Sequence, residues 1–192
     1  MPRVDGPDPV SLERALAAAR AAPPSAGATA VVAIDGRSGA GKSTLAAALA
    51  AALRAPLVSL EDLYGGWEGL ERGVQRLREE VLAPLAAGAV AQVPRYDWAA
   101  RAWGAPRPLP PPERLVVEGV GAGAATLRPF LALLIWLEAP RSERRARTLA
   151  RDGAAVYPDD EWRRWAALED AYIAREDPAA HADLRLAGPR SR

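Results

Sequence analysis

The chain of 192 residues contains no cysteine, one histidine and one lysine, Lys42. Without cysteine it has no disulfide, no thiolate nucleophile and no zinc–thiolate site. No apolar run reaches the roughly 20 residues that a membrane-spanning helix needs, and the first residues lack the apolar segment of a secretory signal. With 25 basic and 24 acidic residues the formal net charge is +1, so charge does not indicate a nucleic-acid partner. We expect a cytoplasmic protein without nucleic-acid or membrane partners.

Composition is that of a folded protein, with 49% hydrophobic and 26% charged residues. The length predicts a single domain overall. Residues 1–28 are interpreted as a lead-in that carries a helix over 12–22, capped by Ser11, and residues 29–192 as the main domain.

Short apolar segments alternate with helical segments along most of the chain. Strands are predicted at 29–34, 57–60, 115–117, 131–137 and 182–186, and helices at 42–54, 70–82, 142–151 and 159–175. This alternation predicts an α/β fold with a five-stranded, mostly parallel sheet and helices on both faces. The five prolines within 104–112 predict a stiff surface connector. Ligands of such sheets bind at the carboxyl ends of the strands.

The strongest motif follows the first predicted strand, where residues 36–43 read Gly-Arg-Ser-Gly-Ala-Gly-Lys-Ser and match G-x-x-x-x-G-K-[ST]. Glycines let the backbone curl so that successive N–H groups face an anion, and the next helix adds its N-terminal dipole. Lys42 would contact the β- and γ-phosphates, and the Ser43 hydroxyl would bind Mg²⁺. The predicted nucleotide-binding residues are Gly36, Arg37, Ser38, Gly39, Ala40, Gly41, Lys42, Ser43 and Thr44.

Acidic residues follow two other predicted strands. Glu118 ends the apolar strand 115–117 and is predicted to hold Mg²⁺ together with Ser43, the alternative being a hydrated glutamate at the surface. Glu61 and Asp62 follow the strand at 57–60, and one of them is a candidate to orient an acceptor hydroxyl and take its proton. Because side chains alternate along an extended segment, only one points at the acceptor; sequence alone does not say which, and a helix-capping pair is the alternative.

Arginines cluster after the fourth predicted strand. Arg144, Arg147 and Arg151 share one face of the predicted helix, and we expect them to close over the phosphates and stabilise charge in the transition state. The alternative is a solvated helix face.

Aromatic and charged residues interleave at Arg95, Tyr96, Asp97 and Trp98. An aromatic ring can stack on a base or sugar while the charged groups recognise polar edges, so these four residues, together with Tyr64, are candidate substrate-binding residues. A partly buried surface hairpin is the alternative for residues 95–98. Trp165 lies three residues after Trp162, a helical spacing that favours packing in the core.

Several of these segments occur together in one order. They are residues 36–43, Glu61-Asp62-Leu63-Tyr64, Val93-Pro94-Arg95-Tyr96-Asp97-Trp98, Val117-Glu118-Gly119 and 144–152. In this order, and near this spacing, the chain resembles the uridine kinase-like P-loop kinases, a group that includes phosphoribulokinase and pantothenate kinase relatives. The resemblance covers about residues 31–186. It implies a three-layer P-loop fold with an arginine-bearing lid helix, and ATP and Mg²⁺ as cofactors.

The resemblance also implies ATP-dependent phosphoryl transfer to a hydroxyl group of a small molecule. The family's catalytic aspartate precedes a tyrosine by three residues; with Tyr64 as that tyrosine, the position is Glu61, so Glu61 or its neighbour Asp62 takes the role. In the family, the tyrosine that matches Tyr96 lines the nucleoside pocket. The family's His-Pro-Asp segment has no counterpart, since residues 65–70 read Gly-Gly-Trp-Glu-Gly-Leu. The resemblance therefore does not extend to uridine or cytidine as the acceptor.

Two other functions fit the same residues. One is a kinase of the same fold that acts on a nucleoside monophosphate or another metabolite, and the other is an ATP-binding switch that transfers nothing. The expected partner is a small-molecule phosphoryl acceptor, and a homo-oligomer is compatible with the sequence.

Overall fold

The computed structural model describes residues 6–152 and 159–189. In chain order the strands are β1 (Ala30–Asp35), β2 (Leu57–Ser59), β3 (Ala91–Val93), β4 (Tyr96–Asp97), β5 (Ala102–Trp103), β6 (Arg107–Leu109), β7 (Arg114–Glu118), β8 (Leu133–Glu138) and β9 (Leu184–Ala187). The helices are α1 (Pro9–Ala21), α2 (Lys42–Leu53), α3 (Leu70–Arg76), α4 (Ala83–Ala86), α5 (Arg141–Asp152) and α6 (Asp159–Glu176). In these ranges no helix is both long and apolar enough to cross a membrane.

The main sheet has the strand order β2-β7-β1-β8-β9, and every neighbouring pair in it is parallel. All six residues of the central strand β1 are buried, because a parallel sheet covered on both faces requires continuous apolar strands. The predicted α/β class is confirmed, and the sheet is parallel throughout.

Helices cover both faces of this sheet and complete three layers. On one face, Val32 and Ile34 share a core with residues of α1 and α2 such as Leu49. On the other face, Val31 and Ala33 pack with the region around α3 and with α6. The alternation of β1 side chains between two separate cores is what the two-residue period of a strand requires.

The register brings three strand ends to one edge of the sheet. Ile34 of β1 lies opposite Glu118 of β7, and Glu118 lies opposite Ser59 of β2. The residues that follow these strands therefore meet at the carboxyl edge, where ligands of parallel sheets bind.

The start of α1 differs from the prediction. The helix begins at Pro9, and its N-cap is Asp8, whose carboxylate accepts the Ser11 N–H at 2.8 Å. The Ser11 hydroxyl instead donates to the Ala187 carbonyl oxygen at 3.0 Å. Ser11 was the wrong cap, because its side chain is bound by a residue far along the chain.

The segment before the proline-rich stretch and the stretch itself form two small antiparallel pairs, β3 with β6 and β4 with β5. Residues 104–112 are therefore not a mere connector, since β6 lies within them. Pro108 sits opposite Gln92, and a proline is tolerated in a short edge strand whose partner does not need its missing N–H.

The helix predicted over 70–82 is interrupted. Its second half, Leu77–Leu82, is π-helical and leads into α4, which has a proline in its first turn. Proline supplies no amide to the preceding turn, and a wider turn at that place is a common local adjustment.

Candidate functional site

The phosphate loop predicted from the motif connects β1 to α2. Positive φ angles of 146° at Gly36, 76° at Gly39 and 101° at Gly41 curl the backbone, a conformation that only glycine adopts without strain. The helix α2 then begins at Lys42. All nine predicted nucleotide-binding residues, 36–44, lie in this curl or in the first turn after it.

The Lys42 side chain folds into the loop. Its ammonium group donates to the Arg37 carbonyl oxygen at 3.1 Å, and the residue is 7% exposed. Of the three N–H donors of an ammonium group, this bond uses one, so the charge is held in the loop with donors left for an anion.

Ser43 and Glu118, the predicted metal pair, lie together at the carboxyl edge. The Ser43 hydroxyl is 3.2 Å from one carboxylate oxygen of Glu118, and the Ser59 hydroxyl donates to the other at 2.6 Å. Burial raises the pKa of Glu118, while the Lys42 charge and the two hydroxyl groups oppose that rise. Sequence reasoning missed Ser59, although its position at the end of a predicted strand was the available signal.

Hydroxyl and carboxylate oxygens are the ligands that Mg²⁺ prefers. No group of three or more acidic or histidine side chains that could hold a metal is found among the described residues. Ser43 and Glu118 therefore fit a Mg²⁺ ion that keeps several waters and also binds phosphate oxygens, as this ion usually does.

The Asp35 carboxylate holds the first residue of the loop, Gly36. Its buried carboxylate accepts the N–H groups of Gly36 at 2.6 Å and Gly123 at 2.8 Å, and the Tyr172 hydroxyl at 2.6 Å. Burial raises its pKa, and these hydrogen bonds oppose the rise. Asp35 thus caps the turn at the start of the loop, and the same carboxylate also ties the loop to α6.

Two of the three candidate lid arginines contact the loop itself. Arg144, 7% exposed, donates to the Ser38 carbonyl oxygen at 3.2 Å, and Arg147 donates to that of Gly39 at 2.8 Å. We expected these groups to close over the phosphates. In this structure both guanidinium groups hold carbonyl oxygens of the loop, and their closure over the phosphates stays a prediction. The side chain of Arg151 lies outside the described residues.

Glu61 and Asp62 lie on a single turn of 3₁₀ helix, Leu60–Leu63, rather than on an extended segment. The two carboxylates face different surroundings. The charge of Glu61 raises the pKa of both Glu118 and Tyr64. Burial raises the pKa of Asp62, whereas the charges of Arg95 and Arg107 lower it. Glu61 is exposed, and its backbone N–H donates at 3.3 Å to the Ser59 hydroxyl, the same hydroxyl that donates to Glu118.

Aromatic rings form a continuous row beside this turn. Tyr96 contacts Trp98 and Trp103 with ring centroids 5.4 and 5.1 Å apart, and Trp98 contacts Trp67 at 5.2 Å. Trp67 in turn lies 6.2 Å from Trp165. The Trp98 indole also donates to the carbonyl oxygen of Glu61 at 3.1 Å, so the row is anchored to the candidate base.

The other predicted substrate-binding residues have different surroundings. Tyr64 is 3% exposed, and its hydroxyl donates to the Val120 carbonyl oxygen at 2.7 Å. The Asp97 carboxylate accepts the N–H groups of Ala99 and Ala100, both at 2.9 Å. Arg95 is exposed. Tyr64 and Asp97 are therefore engaged in holding the protein's own structure.

A cleft of about 910 Å³ opens between the segment after Glu61 and the helix α6. Its lining residues are Gly65, Gly66, Trp67, Glu68, Gly69, Arg164, Ala167 and Leu168. Because Trp67 belongs to the aromatic row and lies 6.2 Å from Trp165, the cleft lies beside that row and the helix that contacts the phosphate loop.

The helix α6 supplies two loop contacts that sequence reasoning missed. The Trp165 indole donates to the Ser38 hydroxyl at 2.8 Å and to the Glu169 carboxylate at 2.9 Å. The same Glu169 oxygen accepts the Ser38 N–H at 2.8 Å. Trp165 is buried, as predicted, but it also packs against the loop; the only sequence signal for Glu169 is its place one turn after Trp165.

Comparison with solved structures identifies the fold. The chain superposes on a "possible uridine kinase" from Bacillus stearothermophilus with a TM-score of 0.66 and 22% identity, over 92% of this chain and 99% of the other. A "putative fructose transport system kinase" from Silicibacter sp. matches with a TM-score of 0.54 and 25% identity, over 82% and 89%. No protein-family model and no curated protein matches the sequence. The fold is thus the three-layer α/β fold of the P-loop kinases, and at that level the predicted resemblance is confirmed.

Gly39 should not tolerate a side chain. A Cβ atom there would lie 2.3 Å from the Arg144 carbonyl oxygen. Gly88 is the matched control, because it has a similar φ of 72° with nothing within 4 Å of an added Cβ. We expect Gly88→Ala to lower the free energy of unfolding by about 1–2 kcal/mol from backbone strain and Gly39→Ala by about 1–3 kcal/mol more, measured by urea titration. Equal losses would contradict the close contact.

Glu118→Gln should remove most of the effect of Mg²⁺ on nucleotide binding. Losing a carboxylate next to the ion lowers metal affinity by about 10- to 100-fold, so ATP should bind the variant almost equally with and without Mg²⁺ in calorimetry. The control is Glu138→Gln, an exposed glutamate at the end of β8, which β1 separates from β7 in the sheet. A normal Mg²⁺ effect in Glu118→Gln would rule out this carboxylate as a metal ligand.

Proposed function

We propose that this protein is an ATP-dependent kinase that transfers the γ-phosphoryl group of ATP to a hydroxyl group of a small molecule. The observation that carries the proposal is the link from the Glu61 backbone N–H to the Ser59 hydroxyl, and from that hydroxyl to Glu118, which lies beside Ser43. Phosphoryl transfer needs a loop that binds the triphosphate, ligands for Mg²⁺ and a carboxylate that can take a proton. All three lie at one edge of the sheet.

The nucleotide side of the proposed site uses the loop and Lys42. The curled amides would hold the β- and γ-phosphate oxygens, and the ammonium group would place a compact charge between them. Ser43 and Glu118 would hold Mg²⁺, which neutralises phosphate charge when bound. The fold shared with solved proteins described as kinases supports this assignment.

Glu61 is the proposed base. As the acceptor oxygen attacks phosphorus, its proton passes to the Glu61 carboxylate, and the bond from the γ-phosphorus to the bridging oxygen of ADP breaks. The exposed carboxylate of Glu61 is free of the surroundings that constrain Asp62, which is half-buried and faces Arg95 and Arg107. This assignment decides between the two carboxylates that the sequence left open.

The cleft lined by residues 65–69 and α6 is the proposed acceptor site. Its wall contains Trp67, which can pack on a carbon skeleton or a ring, and two charged side chains, Glu68 and Arg164, which can bind polar groups of the acceptor. The cleft is lined by the segment 65–69, the same segment whose sequence departs from the family's nucleoside-binding residues. The acceptor is therefore proposed as a small hydroxyl compound, without commitment to a nucleoside.

Transfer itself is testable with purified protein. We expect calorimetry to show binding of ATP with Mg²⁺, and we expect ADP to form when a member of a panel of nucleosides, sugars and vitamins is added. Lys42→Ala should abolish both, because the loop loses its only lysine charge. Binding of ATP without ADP formation from any compound would favour the switch function over the kinase.

The two neighbouring carboxylates make a matched pair of variants. Glu61→Gln should lower kcat by about 10²- to 10⁴-fold, the usual contribution of a general base, while the affinity for ATP stays the same. Asp62→Asn should leave kcat nearly unchanged. ADP release under saturating acceptor measures both, and the reverse order of effects would move the role to Asp62.

A further inference from the structure

Glu169 is a buried carboxylate whose contacts are all with the phosphate loop or its neighbours. The residue is 1% exposed. One of its oxygens accepts both the Ser38 N–H at 2.8 Å and the Trp165 indole N–H at 2.9 Å. Its other oxygen lies 3.9 Å from the Arg37 guanidinium group. Two loop residues and one residue of its own helix thus surround it.

A negative charge in this place is unexpected for a loop that binds a triphosphate. Burying a carboxylate is costly unless hydrogen bonds and opposite charges compensate, and its field opposes an incoming anion. Arg37 supplies one opposite charge. Arg144 is also near: burial lowers the pKa of its guanidinium group, and the negative charge of Glu169 opposes that change. A buried carboxylate at this position is explained if it holds a backbone group of the loop that has no acceptor within the loop.

Glu169 holds the backbone N–H of Ser38. In a curl where successive N–H groups face the anion, an amide that points elsewhere needs its own acceptor. Glu169 provides it from a helix 131 residues further along the chain. The same helix also holds Asp35, the residue just before the loop, because the Tyr172 hydroxyl donates to the Asp35 carboxylate at 2.6 Å.

We propose that Glu169 is a positioning residue that holds the first half of the phosphate loop in the nucleotide-binding conformation by accepting the Ser38 N–H. It acts through Ser38 and does not itself contact the phosphates. The inference rests on the proposed function only in that the loop binds ATP. The reach of the carboxylate, rather than its charge, is the property that matters.

Three substitutions separate reach from charge. Glu169→Gln keeps an oxygen at the same distance and loses the charge, so it should bind ATP with Mg²⁺ within about threefold of the wild type. Glu169→Asp keeps the charge and is one methylene too short to reach Ser38, so it should bind about 10-fold or more weakly, as should Glu169→Ala. Asp170→Ala is the control, because Asp170 also pairs with Arg37, at 2.5 Å, but is 66% exposed.

The measurement is calorimetric titration of the full chain with ATP and Mg²⁺, without acceptor, well below the unfolding temperature of each variant. Aspartate and glutamine variants with equal affinities would overturn the proposal, as would a glutamine variant as weak as the alanine variant, since charge would then be decisive. If the alanine variant does not fold, the glutamine–aspartate comparison decides alone. A wild-type protein that binds no ATP would overturn both this inference and the proposed function, whereas normal wild-type binding with an unaffected Glu169→Asp overturns this inference only.

Discussion

The site depends on the curl of the loop over residues 36–43, which positive φ angles at Gly36, Gly39 and Gly41 produce. Buried carbonyl and amide groups of such a loop need partners. From outside the loop, Arg144 and Arg147 donate to the carbonyl oxygens of Ser38 and Gly39, and Glu169 accepts the Ser38 N–H. From inside it, Lys42 donates to the Arg37 carbonyl oxygen. The loop is therefore held from outside by α5 and α6, and its inner surface is left for an anion.

The parallel sheet determines which acidic groups surround that loop. Since β1, β7 and β2 are neighbours in register, Asp35, Glu118 and Ser59 end at the same edge. Asp35 turns toward the 121–123 segment and α6, while Glu118 turns toward Ser43. Two buried carboxylates thus do different work: one stabilises the loop and the other is available to a metal.

Patterns in the sequence predicted the features that neighbouring residues determine. They did not predict the contacts made by segments far apart in the chain. The loop, the Ser43–Glu118 pair and the five strands follow from spacing and apolar runs within a few residues. The Ser11 cap failed because Ala187 binds that hydroxyl, and the contact of Glu169 with Ser38 spans 131 residues. Periodicity identifies a shared arginine face on α5, but it does not reveal which neighbour that face meets.

The choice between arginine and lysine around the loop follows from these contacts. Arginine offers a planar set of donors that suits carbonyl oxygens and carboxylates at a fixed distance, and Arg37, Arg144 and Arg147 are used in that way around the loop. A planar guanidinium group is too large for the inside of a tight curl, whereas an ammonium group is a compact point charge. In a chain with 24 arginines among 25 basic residues, the remaining lysine stands at the one position where the charge must enter the loop rather than support it.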